Sequence, residues 1–100
     1  MRYDKLVRDR IPGIIMAKGE SCTTHIADEA EYETKLFEKL REEAEELVRD
    51  KSIGEIADVL EVIDAIAALK GFSQEEIGAV KRKKLEERGG FSGRIVLEES

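Results

Sequence analysis

The sequence predicts a mainly α-helical fold, in which an antiparallel helical hairpin is followed by a third helix. Two observations support this class: apolar residues recur at the helical period over most of the chain, and helix-capping residues stand between these stretches. β-rich segments are short and lie near the two ends. At 100 residues the chain has the length of one domain, so we expect residues 1–100 to form a single unit.

The first elements come from the N-terminal third. Pro12 suits the first turn of a short helix, "PGIIMAKG", which Gly19 would end. The segment "SCTTHIA" is β-rich and reads as a strand, and "GRIVLEE" near the C-terminus reads as a second one. We expect these two segments to pair in a small β element that joins the ends of the chain.

Three longer helices follow, each preceded by a capping residue. Apolar residues of the first form one stripe at a period of 3.6 residues, and "RDKS" is a polar break after it. The next two open with capping-box patterns, in which a serine precedes a glutamate by three residues. The predicted helices are 29–49 after Asp28, 53–69 after Ser52 with Glu55, and 74–88 after Ser73 with Glu76.

The helix predicted over 53–69 is apolar on most of its sides. Such a helix must be buried on most sides, and two other helices in a small domain cannot cover it. We therefore expect a homo-oligomer, a dimer or a tetramer, in which this helix packs against another subunit in a helical bundle.

Composition limits the function classes. With 41% hydrophobic and 40% charged residues the chain is typical of a soluble globular protein, and no apolar run approaches the ~20 residues that span a bilayer. The charged start "MRYDKLVRDR" does not resemble a signal peptide, and the single cysteine, Cys22, fits a reducing compartment, so we expect a cytoplasmic protein with no membrane partner. A net charge of -6 argues against nucleic-acid binding.

Carboxylates on the two hairpin helices have a spacing that can form a metal site. Glu46 and Glu55 are equidistant from the turn, and so are Glu43 and Asp58. In an antiparallel hairpin with axes ~8–10 Å apart, each pair lies level and leaves room for a cation between its members. Four oxygen donors favour Mg²⁺, or alternatively Mn²⁺. The other interpretation is that these acids are only solvated helix faces, and Glu61 and Asp64, which continue the row, have no assigned role.

At these residues the chain resembles the MazG-like, all-α nucleotide pyrophosphohydrolases. "KLREEAEELV" followed by "GEIADVLEVIDAI" is similar to the E-x-x-E … E-x-x-D pattern of that superfamily. The segments "KLVRDRIP" and "KRKKLEERGGF" resemble those of its small phosphoribosyl-ATP pyrophosphohydrolase-like members, so the resemblance runs nearly from end to end.

The resemblance implies a Mg²⁺-dependent hydrolase that cleaves a nucleoside triphosphate or phosphoribosyl nucleotide between the α- and β-phosphates, giving the monophosphate and pyrophosphate. It implies that the metal ligands are Glu43, Glu46, Glu55 and Asp58, and that Glu42 is a general base or a neighbour of the ligands. Glu43 is a candidate for both roles. The chemistry needs a cation to neutralise phosphate oxygens and a carboxylate to orient or deprotonate water.

Two basic clusters are candidates for phosphate binding. Lys81, Lys84 and Arg88 share one face of the last helix, where they bind phosphates or merely complement the helix dipole. Lys5, Arg8 and Arg10 form the other cluster, and they bind phosphate or pair with the excess acids. The rival to the enzyme hypothesis is a non-catalytic helical oligomer that serves as an interaction or regulatory module, in which the acids only balance lysine and arginine at an interface.

Overall fold

The computed structural model describes residues 4–100 and contains four α-helices in this range. They are α1 (Ile11–Ala17), α2 (Glu29–Asp50), α3 (Ile53–Lys70) and α4 (Gln74–Arg88). The predicted mainly helical class is therefore confirmed, and the helix ends almost coincide with the predicted ones. Residues 1–3 of the predicted domain lie outside the described part.

Serine caps begin α3 and α4, as the sequence predicts, but only one capping box is complete. Ser73 accepts a hydrogen bond from the backbone N–H of Glu76 at 3.1 Å, and the Glu76 side chain accepts one from the backbone N–H of Ser73. Ser52 likewise accepts from the backbone N–H of Glu55 at 3.2 Å. Within the described residues, the Glu55 side chain makes no return bond to Ser52, and its Oε2 atom is buried instead.

α2 and α3 form an antiparallel hairpin with a two-residue connection. Lys51 ends α2 in the left-handed region, at φ 51°, and Ser52 starts α3. Lys70 at the end of α3 pairs with Glu33 near the start of α2, so the helices stay side by side along their length. The buried apolar side chains, Leu36, Val62 and Ala67, all belong to this hairpin.

The predicted β element is wrong for the described chain. Neither "SCTTHIA" nor "GRIVLEE" forms a strand, and all of their residues except the half-buried Ala27 are exposed. The physical reason is that two short strands make too few contacts to be stable unless a third strand or a helix covers them. Ile26 is 95% exposed and Ile95 is 90% exposed, so no such cover exists within the described residues.

Much apolar surface remains uncovered in the single chain. The radius of gyration is 17.8 Å, whereas about 13 Å is usual for a compact domain of this length. The expected burial of α3 on most sides is not achieved within one chain, because only Val62 and Ala67 of this helix are buried. One row of α3 side chains is between 41% and 86% exposed, and we call it the α3 stripe: Ile53, Ile56, Leu60 and Ile63.

Candidate metal centre

Five carboxylates converge in the part of the hairpin next to the connection between α2 and α3. Glu42, Glu43 and Glu46 come from α2, and Glu55 and Asp58 come from α3. One potential ligand oxygen from each of Glu42, Glu43 and Glu46 lies within 4.8 Å of the others, and the same holds for Glu43, Glu55 and Asp58. We call these five residues the carboxylate cluster.

The short connection sets the register that brings the cluster together. Residues three or four apart on one helix share a face, and a two-residue turn keeps those nearest to it level across the hairpin. Glu43 and Asp58, predicted to be level, fall in one group. Glu46 and Glu55 fall in different groups, so the arrangement is two overlapping sets that share Glu43 rather than two separate rungs.

Glu43 is the buried centre of the cluster. The residue is only 7% exposed, and its Oε2 atom has no hydrogen-bond partner among the described residues. Burial raises the pKa of Glu43, the neighbouring Glu46 raises it further, and Lys39 opposes the shift. A buried carboxylate oxygen without a donor is costly. A cation placed against it would remove that cost.

A second orphaned oxygen lies on α3. The Oε2 atom of Glu55 is also buried without a partner in the described part of the chain. Hard divalent cations prefer carboxylate oxygens, and Mg²⁺ binds one or two carboxylates directly while it keeps waters. The all-oxygen donor set and the two unpartnered oxygens therefore fit Mg²⁺ or Mn²⁺, with Glu43, Glu55 and Asp58 as one candidate ligand set.

Residues 4–10, which we call the N-terminal strap, lie against the cluster. The Lys5 Nζ atom is 3.3 Å from Glu42 Oε1, and the Arg8 Nη2 atom donates to Asp58 Oδ1 at 2.7 Å. Of the two predicted roles for these cations, pairing with acids is the one seen in the described structure. Lys5 also lines a groove of about 310 Å³ between the strap and α2, whose other lining residues are Asp4, Leu6, Lys35, Glu38, Lys39 and Glu42.

Lys39 is a cluster neighbour that the sequence interpretation missed. Its Nζ atom is 3.4 Å from Glu43 Oε1 and 3.8 Å from Glu42 Oε1. The signal was present, since Lys39 precedes the two glutamates by three and four residues on one helix, a spacing at which side chains meet. Lys39 partly neutralises the cluster and leaves Glu43 Oε2 unpaired.

The cations predicted on the last helix do not join the cluster. Lys81, Lys84 and Arg88 are exposed on α4, and none of them forms an ion pair with a cluster carboxylate within the described residues. Glu61 and Asp64 are also exposed, and neither belongs to the two carboxylate groups.

No protein-family model, curated protein or solved structure matches the chain. Among the described residues, no helix combines the length and the apolar character needed to cross a membrane.

Proposed function

We propose that the protein is a Mg²⁺-dependent nucleotide pyrophosphohydrolase whose active site is the carboxylate cluster. The observation that carries the proposal is Glu43, a buried carboxylate with an unpartnered oxygen at the meeting point of four other acids. The resemblance to the MazG-like pyrophosphohydrolases suggests the reaction: hydrolysis of the anhydride bond between the α- and β-phosphates of a nucleoside triphosphate or phosphoribosyl nucleotide. Mn²⁺ would serve in place of Mg²⁺.

The chain's own residues would divide the work. Glu43, Glu46, Glu55 and Asp58 would hold the cation, which when bound supplies charge neutralisation for the phosphate oxygens. Glu42 belongs to the cluster and also lines the groove, so we assign it the role of general base that takes a proton from the attacking water. The water oxygen would bond to the α-phosphorus as the bridging bond to the β-phosphate breaks and pyrophosphate leaves.

Cations near the site would hold the phosphates. Lys5 lines the groove beside Glu42, and Arg8 reaches the cluster from the strap, so both are near where a metal-bound phosphate would lie. Lys81, Lys84 and Arg88 could contribute only if α4 of this chain or of a second copy came to the groove.

We also propose that the working form is a homodimer or tetramer. The accessible surface of the chain is 9096 Å², whereas a compact monomer of 11.3 kDa exposes about 5,700 Å². The excess is far larger than the ~800 Å² per partner that a standard interface buries. The α3 stripe is an apolar seam at alternating three- and four-residue spacing, as in helix pairs that pack along their length. The free Cys22 fits a cytoplasmic setting.

A nucleotide panel with Mg²⁺ tests the proposed activity. We expect equimolar pyrophosphate and nucleoside monophosphate and no orthophosphate, with at least a hundredfold loss of turnover in Glu43→Gln and Asp58→Asn. Glu45→Gln is the matched control, because Glu45 lies on α2 within the same stretch but is exposed and outside the cluster. Turnover that survives both cluster substitutions would refute the site.

The nucleotide panel, together with thermal melts in Mg²⁺ and Mn²⁺, separates the rival function. A non-catalytic oligomeric module would release no pyrophosphate from any nucleotide, and its melting temperature would not respond to Mg²⁺ or Mn²⁺. A metal-dependent rise in melting temperature without hydrolysis would show a metal-binding module instead of an enzyme.

A further inference from the structure

Two basic side chains of the N-terminal strap, Lys5 and Arg8, contact carboxylates of the cluster. Arg8 donates to Asp58 at 2.7 Å, and Lys5 lies 3.3 Å from Glu42. These contacts join residues far apart in sequence and place the strap beside both helices of the hairpin, Lys5 next to α2 and Arg8 next to α3. Asp58, which Arg8 contacts, is a proposed metal ligand, and Glu42, which Lys5 contacts, belongs to the same cluster.

A divalent cation and Arg8 compete for the Asp58 carboxylate. Mg²⁺ binds oxygen at ~2.0–2.1 Å and requires nearly octahedral ligand directions. The Arg8 guanidinium, 2.7 Å from Asp58 Oδ1, occupies a lone-pair direction of that oxygen, and a cation bound by Asp58 would lie next to a like charge. Binding of the cation through Asp58 therefore favours departure of Arg8.

The strap is built so that it can leave at small cost. Its side chains are mostly exposed, and in Lys5 and Arg8 more than half of the side chain faces solvent. Leu6 is its only half-buried residue, and the strap contains no helix or strand. Exposed ion pairs contribute little to stability, so the pairs made by Lys5 and Arg8 hold the strap only weakly.

We propose that the N-terminal strap is an internal competitor of the divalent cation: Arg8 and Lys5 neutralise the carboxylate cluster before metal binds, and metal binding displaces the strap. This inference rests on the proposed function, because it concerns the same metal site. It also links the two predicted roles of Lys5 and Arg8, since cations released from the acids become available to the phosphates of the substrate.

Calorimetric titration of the full chain with Mn²⁺ tests the competition. Arg8→Gln is expected to bind Mn²⁺ about two- to fivefold more tightly than Arg10→Gln, because it removes the competing pair on Asp58. The two variants change the net charge equally, and Arg10 makes no ion pair within the described residues, so Arg10→Gln is the matched control. Equal affinities, or weaker binding by Arg8→Gln, would overturn the inference while the metal site itself stands.

Trypsin digestion measures displacement directly. Mn²⁺ is expected to speed cleavage after Lys5 severalfold relative to cleavage after Arg94, which lies in the exposed segment beyond α4 and serves as the internal reference. Cleavage after Lys5 that is unchanged or slowed by Mn²⁺ would mean that the strap stays closed over the occupied site, and would overturn the inference. Absence of Mn²⁺ binding in every variant would overturn the metal site, and with it both the inference and the proposed function.

Discussion

Replacement of Glu43 by glutamine is expected to stabilise the metal-free protein at pH 7, although Glu43 is the proposed centre of the site. A buried charged oxygen without a partner costs about 1–3 kcal/mol, and Glu43 Oε2 has none in the described structure. Glutamine keeps the shape and can donate its amide N–H to Glu46, but it loses the Lys39 pair, worth about 0.3–0.5 kcal/mol. The balance is a gain of about 1 kcal/mol, or roughly 4–8 °C in Tm.

The gain depends on pH, because burial raises the pKa of Glu43 above 4.5 in the folded protein. Below the pKa of the unfolded chain, near 4.5, Glu43 is protonated in both states, and wild type and variant should be equally stable. As the pH rises through the folded pKa, the native state must hold the carboxylate charged, and wild type loses free energy of unfolding that the glutamine variant keeps.

Mg²⁺ should reverse the order of stability. Wild type gains about 2.7 kcal/mol when the free cation reaches a hundred times its Kd, because the cation binds the folded state. The glutamine variant lacks the central ligand and gains little. The destabilisation by the unpartnered Glu43 oxygen and the affinity for the cation are thus two consequences of the same buried atom.

Urea denaturation followed by circular dichroism measures these effects at one fixed protein concentration, in EDTA and in Mg²⁺. Glu45→Gln is the control and should not show the reversal, since Glu45 is exposed and lies outside the carboxylate cluster. A glutamine variant at position 43 that is less stable than wild type in EDTA at pH 7, or a difference that is the same at about pH 4, would refute the reasoning.

Three further predictions concern the rest of the hairpin. Leu60→Glu combined with Ile63→Glu places charges in the α3 stripe and is expected to reduce the mass measured by light scattering to that of one chain; a monomeric wild type would contradict this. Lys51→Gly relieves a left-handed backbone and should raise the free energy of unfolding by about 0.5 kcal/mol, with the Mg²⁺ response unchanged in thermal melts. Ser52→Ala removes the cap of α3 and should cost about 1 kcal/mol in urea denaturation, with no loss of the Mg²⁺ response.

The helix ends could be predicted from sequence because their causes are local. Ser52 and Ser73 accept hydrogen bonds from backbone groups only three residues away, so the pattern contains the whole interaction. The β element failed for the opposite reason. Its pairing depended on bringing residues near 24 and 96 together, and nothing in the local sequence could show whether the rest of the chain would do so.

The candidate site was predictable in membership but not in arrangement. Helical spacing and a short turn were enough to select four of the acids that the structure brings together, whereas Glu42 was indicated only by the family resemblance. The convergence on Glu43 depends on side-chain directions and on which oxygen is left without a donor, and spacing does not contain these. The contact of Arg8 with Asp58 spans half the chain, so the sequence could offer it only as one of two alternatives.

The two-residue connection between α2 and α3 makes the chain unequally tolerant of length changes. One residue inserted beside Lys51 and taken up as helix would turn α3 by about 100° and shift it by about 1.5 Å relative to α2. Both helices could still form, yet Glu55 and Asp58 would face away from Glu43. Insertions after Arg88, where the chain is exposed, would leave that geometry intact. Variation in length should therefore collect beyond α4 and be absent from the turn, and a library of single-residue insertions would display that contrast.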